Sequence, residues 1–168
     1  MTPPAVTVSV VIAVSQTAEG PAMWRELIGR LYGDAEFAAP ASDGEIDEIE
    51  RRLGQAVPDE LRELLRQANG VRAEYGSGLV WSAQEIVREN TEFRRNGDLG
   101  GLYGSFDRLM FIGDNGGGDQ FGYVQGPSGP HGGVYVWDHE TDERKRVATS
   151  LEDYLRRRAD ADGDDWYK

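Results

Sequence analysis

The sequence predicts an α+β fold: an N-terminal αα-hairpin and further helices packed on a central antiparallel sheet, closed by a C-terminal helix. Three observations carry this. Residues 21–97 hold segments with apolar side chains at helical spacing. Residues 108–149 hold four short β-branched or aromatic runs separated by turn chemistry, and Ser150 then opens a last amphipathic segment. Helices first and strands afterwards segregate the two kinds of element, which is the α+β pattern rather than the alternation of a parallel sheet.

Taken in order, Val6–Val14 is an apolar run with no Lys or Arg before it. It is too short to cross a bilayer and lacks the positive start of a secretory signal, so residues 1–20 read as an extension, either an arm or an extra strand. Residues 21–159 read as one domain. Trp24, Leu27, Ile28 and Leu31 mark one helix face within Pro21–Tyr32, with Gly33 as its end. Ser42 and Glu45 form a capping-box pair ahead of Ile46, Ile49 and Leu53, and Gly54 stops that helix. Pro58 suits a first helical turn, Leu61, Leu64, Leu65 and Ala68 make the buried stripe, and Asn69-Gly70 supplies a left-handed exit. These two segments form the αα-hairpin.

Gly78–Trp81 reads as a short strand. Ser82 and Glu85 repeat the capping-box signature before a helix that ends near Gly97. The runs "RLMFIG", "QFGYV", "GVYVWD" and "RKRVAT" predict a meander. In "GVYVW" both alternating faces are apolar, which favours a sheet covered on both sides over one with an aromatic face left for a partner. Ser150 and Asp153 cap the closing helix, on which Leu151, Tyr154 and Leu155 face inward. Residues 160–168 form an acidic tail that carries Trp166 and Tyr167.

Composition narrows the functional classes. With 18 basic and 30 acidic side chains the net charge is −12, which repels nucleic-acid phosphate and anionic lipid and attracts basic proteins. The same charge also serves solubility. No cysteine is present, which removes thiolate metal sites and a thiol nucleophile and is compatible with a reducing compartment.

The most unusual stretch is "FIGDNGGGDQFGYV". Gly113 and Gly118 have the glycine spacing of a phosphate loop, but Asp119 and Gln120 stand where lysine and a hydroxyl are required. Asp114, Asn115 and Asp119 offer oxygens to a metal, yet calcium takes about six to eight. In the tail "DADGDD" the glycine comes too early for a calcium loop. No metal or cofactor is therefore expected. Gly113, Asp114, Asn115, Gly116, Gly118 and Asp119 read as a structural turn, with Asn115-Gly116 at positive φ and the aspartates accepting local amides.

His131 falls in the loop "GPSGPHGG" and His139 in the turn "DHETDE". Asp138, His139 and Glu140 are consecutive and need not converge, so a hydrolase built on Asp138 and His139 is a remote third reading. Between Ser42 and Glu60 stand seven carboxylates against two arginines, a local surplus of five negative charges. Helix starts favour such charge, and it also steers a basic partner. Arg144, Lys145 and Arg146 mark a charged edge strand.

With these residues in view, "EIDEIERRLGQAVPDELRELLRQANGV", "FIGDNGGGDQFGYV" and "GGVYVWDHETDERKRVATSLEDYL" together resemble the SUKH superfamily, in its Smi/Knr-type branch, from about Ile46 to Leu155. Its members include bacterial immunity proteins of polymorphic toxin systems and fungal cell-wall-assembly regulators. The resemblance implies a non-catalytic, cytoplasmic protein that binds and neutralises a cognate toxin, in many cases a nuclease. The alternative it implies is a regulatory protein-binding scaffold without a toxin partner. Charge density selects Asp43, Asp47, Glu50, Asp138 and Glu140 as candidate partner contacts, with no nucleic acid or membrane as partner.

Overall fold

The computed structural model describes residues 23–96 and 101–168. The expected extension over residues 1–20, the start of the first helix at Pro21 and the helix end at Gly97 lie outside the described residues. Helix α1 (Trp24–Leu31) buries Trp24 and Ile28, and Tyr32, in extended conformation, makes its exit one residue before Gly33. At α2 (Asp43–Leu53) the capping box is complete: Glu45 N donates to Ser42 Oγ at 3.2 Å and Ser42 N to Glu45 Oε2 at 2.8 Å. Gly54 closes α2 in the left-handed region, at φ 66°.

Helix α3 (Asp59–Gln67) starts one residue later than expected, with Pro58 as its N-cap. Its exit also differs. Ala68 leaves the helix extended and only Gly70 takes positive φ, while Asn69 Oδ1 accepts from Ala83 N at 2.8 Å and helps to cap the next helix. That helix, α4 (Ala83–Asn96), has the predicted box: Ser82 N donates to Glu85 Oε2 (2.9 Å) and Glu85 N to Ser82 Oγ (3.1 Å). Helix α5 (Leu151–Asp160) is capped twice. Ser150 Oγ accepts from Asp153 N, and Glu60 Oε2 on α3 accepts from Leu151 N at 3.0 Å.

Two antiparallel sheets receive these helices. The predicted meander is present as β4 (Leu109–Asp114), β5 (Gln120–Gly126), β7 (Val134–Trp137) and β8 (Arg144–Ala148), in that spatial order, with β6 (Gly129–Pro130) folded back on β5. A second sheet of β1 (Glu36–Phe37), β2 (Val71–Ala73) and β3 (Ser77–Val80) was foreshadowed only by its last strand. Its other strands have two and three residues, too few for alternation to register.

Glycine makes the sheets meet. Gly113 is not in the turn but in β4, where a Cβ would stand 2.6 Å from the Leu79 carbonyl oxygen of β3. Trp81 N donates to Ile112 O across the same junction at 2.6 Å. Gly122 of β5 faces the Met110 backbone so closely that a Cβ would collide with that carbonyl. We expect Gly122→Ala to lower unfolding free energy by about 2 kcal/mol or more in urea titrations, since backbone cannot yield as a side chain does.

The register puts Phe121 beside Val136 on one sheet face, and Gln120 beside Trp137 on the other. The first face lies under α5: Phe121 meets Tyr154 with ring centres 5.1 Å apart. The second is covered by α4 at the Trp137 end, whereas Tyr135 is only half-buried. Coverage of both faces, as predicted, is therefore incomplete toward β7 and β8. Trp166 lies parallel to the Phe121 ring, and Tyr167 is buried, so the acidic C-terminal segment closes over the Phe121 face of the sheet.

Candidate functional site

The glycine turn proper is Asn115–Asp119, between β4 and β5. Asp114 Oδ1 accepts from Gly116 N (2.8 Å), and Asn115 Oδ1 accepts from Gly117 N (2.8 Å) and Asp119 N (3.1 Å). Gly116 and Gly118 have φ of 77° and 118°, which only glycine adopts without strain, whereas Asn115, expected at positive φ, does not take it and serves through its side-chain oxygen instead. Three amides of the turn are thus satisfied by the turn's own side chains, and none of these three is left to cradle an anion.

Asp114 behaves as a turn aspartate through Oδ1, whereas Asp119 accepts from the turn through neither oxygen. It is fully buried, and its partners are distant in sequence: Oδ1 takes His139 N (3.0 Å) and pairs with His139 Nδ1 (2.6 Å), while Oδ2 accepts from Tyr167 Oη (2.7 Å). Lys168 Nζ stands 3.6 Å away. Burial alone would raise this carboxyl, yet the Tyr167 and His139 hydrogen bonds and the Lys168 charge hold it below the usual carboxylate range. The expectation that Asp119 accepts local amides is therefore corrected. It is a tertiary clasp joining turn, β7–β8 connection and C-terminal segment.

Asp119, Asp138 and His139 could each offer a metal one ligand atom within 4.8 Å. The Asp119 and His139 atoms are already bonded to one another, and Asp138 Oδ1 accepts from Glu140 N and Thr141 N. His139 is oriented by Asp119 rather than by Asp138. Among the described residues no hydroxyl hydrogen-bonds its other ring nitrogen.

The five acidic candidates fall into two groups. Asp43 pairs with Arg66 (2.8 Å), and Arg62 spans Asp47 (2.8 Å) and Glu50 (2.9 Å), while Glu50 Oε1 also accepts from Val57 N. The surplus counted up to Glu60 is only partly offset by the α3 arginines Arg62 and Arg66 just beyond that window, because Glu63 lies between them. Asp138 and Glu140 stand instead at the β7–β8 turn, beside the glycine turn: Gly118 abuts the His139 ring.

That end of the sheet borders a groove which the sequence reading did not assemble. Between α4 and the glycine turn lies a cleft of about 410 Å³, lined by Arg72, Trp81, Arg88, Asp114 and Gln120 among others. Trp81 Nε1 donates to Asp114 Oδ2 at 2.7 Å. Gln120 is 9% exposed and gives Nε2 to Gly118 O, while its Oε1 is buried without a donor among the described residues.

Glu89 and Phe93 line both this cleft and a second hollow of about 300 Å³, walled by Tyr103, Phe106 and Trp137 and edged by Glu92 and Asn96. Three rings meet Trp137 nearly edge-on: Phe106 at 5.0 Å, Tyr103 at 5.2 Å and Phe93 at 5.5 Å. Asp142 fixes the arrangement, accepting from Trp137 Nε1 and Gly104 N, both at 2.8 Å. Burial would raise its carboxyl, but those donors and Arg144 hold it low. The rings come from residues 93, 103, 106 and 137. Only an unusual density of aromatics in "EFRRNGDLGGLYGSFD" hinted at them.

Among the described residues no helix is long and apolar enough to cross a membrane. No curated protein matches the chain. The model of the SMI1 / KNR4 family (SUKH-1) matches residues 40–157, which span α2 to α5 and include the whole meander, the glycine turn and the groove. An αα-hairpin, a four-strand meander with a glycine-rich first turn and a closing helix thus agree with a match over most of the sequence, and the chain belongs to the SMI1 / KNR4 (SUKH-1) family.

Proposed function

We propose that this protein is a non-catalytic immunity protein that binds and neutralises a cognate polymorphic toxin of basic, nuclease type in the cytoplasm of the producing cell. Membership of a family that includes toxin-immunity proteins is the observation that carries the reading. The charge of −12 and the groove beside the glycine turn support it. The contact surface runs along the groove and takes in Asp138 and Glu140 at the neighbouring turn. Asp43, Asp47 and Glu50, paired with α3 arginines, contribute mainly to the longer-range field. Gly113, Asp114, Asn115, Gly116, Gly118 and Asp119 hold the scaffold, and of these Asp114, Gly116 and Gly118 also line the groove.

The test is inhibition of the toxin encoded beside this gene. Purified protein should abolish its activity at equimolar ratio, with an association rate that falls by roughly tenfold or more between low and high salt, as steered encounters do. Association insensitive to salt removes the electrostatic argument. The half-buried Tyr135 face favours the second reading, a regulatory scaffold for a cellular protein, which a solitary gene without a toxin neighbour would support.

A further inference from the structure

We infer that the aromatic hollow beside α4 is the anchor point for an arginine side chain of the protein partner, a statement that rests on the partner-binding reading above and names the chemistry of its central contact. Among the described residues the hollow is lined by four aromatic rings, two carboxylates and one amide, and by no basic side chain. Trp137 and Phe106, 4% and 3% exposed, form its floor, and half-buried Phe93 and Tyr103 form its walls. Aromatic faces attract a cation through the ring quadrupole, and the attraction grows as the site loses water. An anion placed here would meet Glu89 and Glu92. A purely apolar side chain would leave Glu92 without a counter-charge at the rim, whereas Glu89 already has Arg88.

Arginine fits better than lysine. Its planar guanidinium stacks on rings and forks onto carboxylates, whereas an ammonium is a strongly hydrated point charge. The chain already makes this pairing at the hollow itself: the Arg144 guanidinium stands 4.8 Å from the Phe106 ring centre, which leaves Phe93, Tyr103 and Trp137 for an incoming one. Glu89 is pinned on one side by Arg88, and Glu92 bonds Asn96 on its own helix, so both carboxylates are held at the rim. In the adjoining cleft the buried Gln120 Oε1 is an acceptor without a donor among the described residues, which suits a partner surface rich in N–H groups.

The experiment titrates the full chain with N-acetyl-L-argininamide and, separately, with the neutral isostere N-acetyl-L-citrullinamide, following indole N–H resonances by NMR. The arginine probe should shift Trp137 while leaving buried Trp24 unmoved, and should bind at least fivefold more tightly than the citrulline probe. Glu89→Gln with Glu92→Gln, a surface pair of changes, should erase that difference. Phe93→Leu, which keeps apolar volume, should weaken the arginine probe at least threefold. Equal shifts from both probes, or none, overturn the inference whatever the toxin assay shows. A toxin that is inhibited equally well by the doubly substituted protein also overturns the anchor, yet leaves the immunity reading standing.

Discussion

Removing the Asp119 carboxylate is expected to cost about 3–5 kcal/mol, the range for a buried charge network that loses one member. In Asp119→Ala both His139 donors, the backbone N–H and the ring, lose this acceptor together, and the Tyr167 hydroxyl keeps only Asp165 Oδ1 at 3.2 Å. The loss should be smaller in Asp119→Asn, about 1–2 kcal/mol, because one oxygen remains and the Tyr167 hydroxyl can rotate to accept. Urea unfolding at pH 7 measures both.

Acidity supplies a second readout with a fixed sign. The Asp119 carboxyl lies below its unfolded value, so its contribution is present above the ordinary aspartate pKa of about 3.9 and is lost as pH falls through the lower folded value. The stability gap between wild type and Asp119→Ala should therefore narrow below about pH 4. A gap that stays constant to pH 2 means that the carboxylate is not the linked group. Because Tyr167 hangs on the same oxygen pair and Trp166 lies over Phe121, tryptophan emission should report loosening of the C-terminal segment in both variants.

What the sequence made legible follows from the range of the forces involved. Ser42 with Glu45 and Ser82 with Glu85 satisfy helix-start amides three residues away, and such local bonds are written into spacing. The turn at Asn115–Gly118 was legible for the same reason. Asp119 looks identical to Asp114 in one dimension, yet its partners lie 20 and 48 residues further on. The charge count over residues 42–60 missed Arg62 and Arg66 because α3 folds back on α2. The aromatic hollow needs α4, the loop before β4 and the end of β7 to converge, and no periodicity encodes that convergence. Strands of two or three residues in the smaller sheet exist only because their neighbours pair with them.

Asn90 is the second position where one side chain is expected to carry a large share of stability. It is 1% exposed, in the middle of α4, where the sequence pattern reads a polar residue among exposed glutamates. Its amide reaches β4 as another strand would: Phe111 N donates to Oδ1 at 2.7 Å, and Nδ2 donates to Phe111 O at 2.8 Å and to Ile86 O on its own helix. Asn90→Leu keeps the volume and leaves the Phe111 N–H and C=O buried without a partner, at about 1–3 kcal/mol each. A total of about 2–6 kcal/mol is expected in urea unfolding. Asn90→Asp should be no better, since a carboxylate would accept from Phe111 N but face two carbonyl oxygens without a donor.

Global stability alone would not distinguish this account from simple repacking, so hydrogen exchange at Phe111 decides it. That amide should lose protection in Asn90→Leu beyond the general drop, because its acceptor is gone. If Phe111 exchanges no faster than its β4 neighbours, the bond between helix and strand is not what holds them. The consequence also reaches the groove: Glu89 and Phe93 lie one and three residues away on α4, and their position over Trp137 depends on where Asn90 ties that helix down.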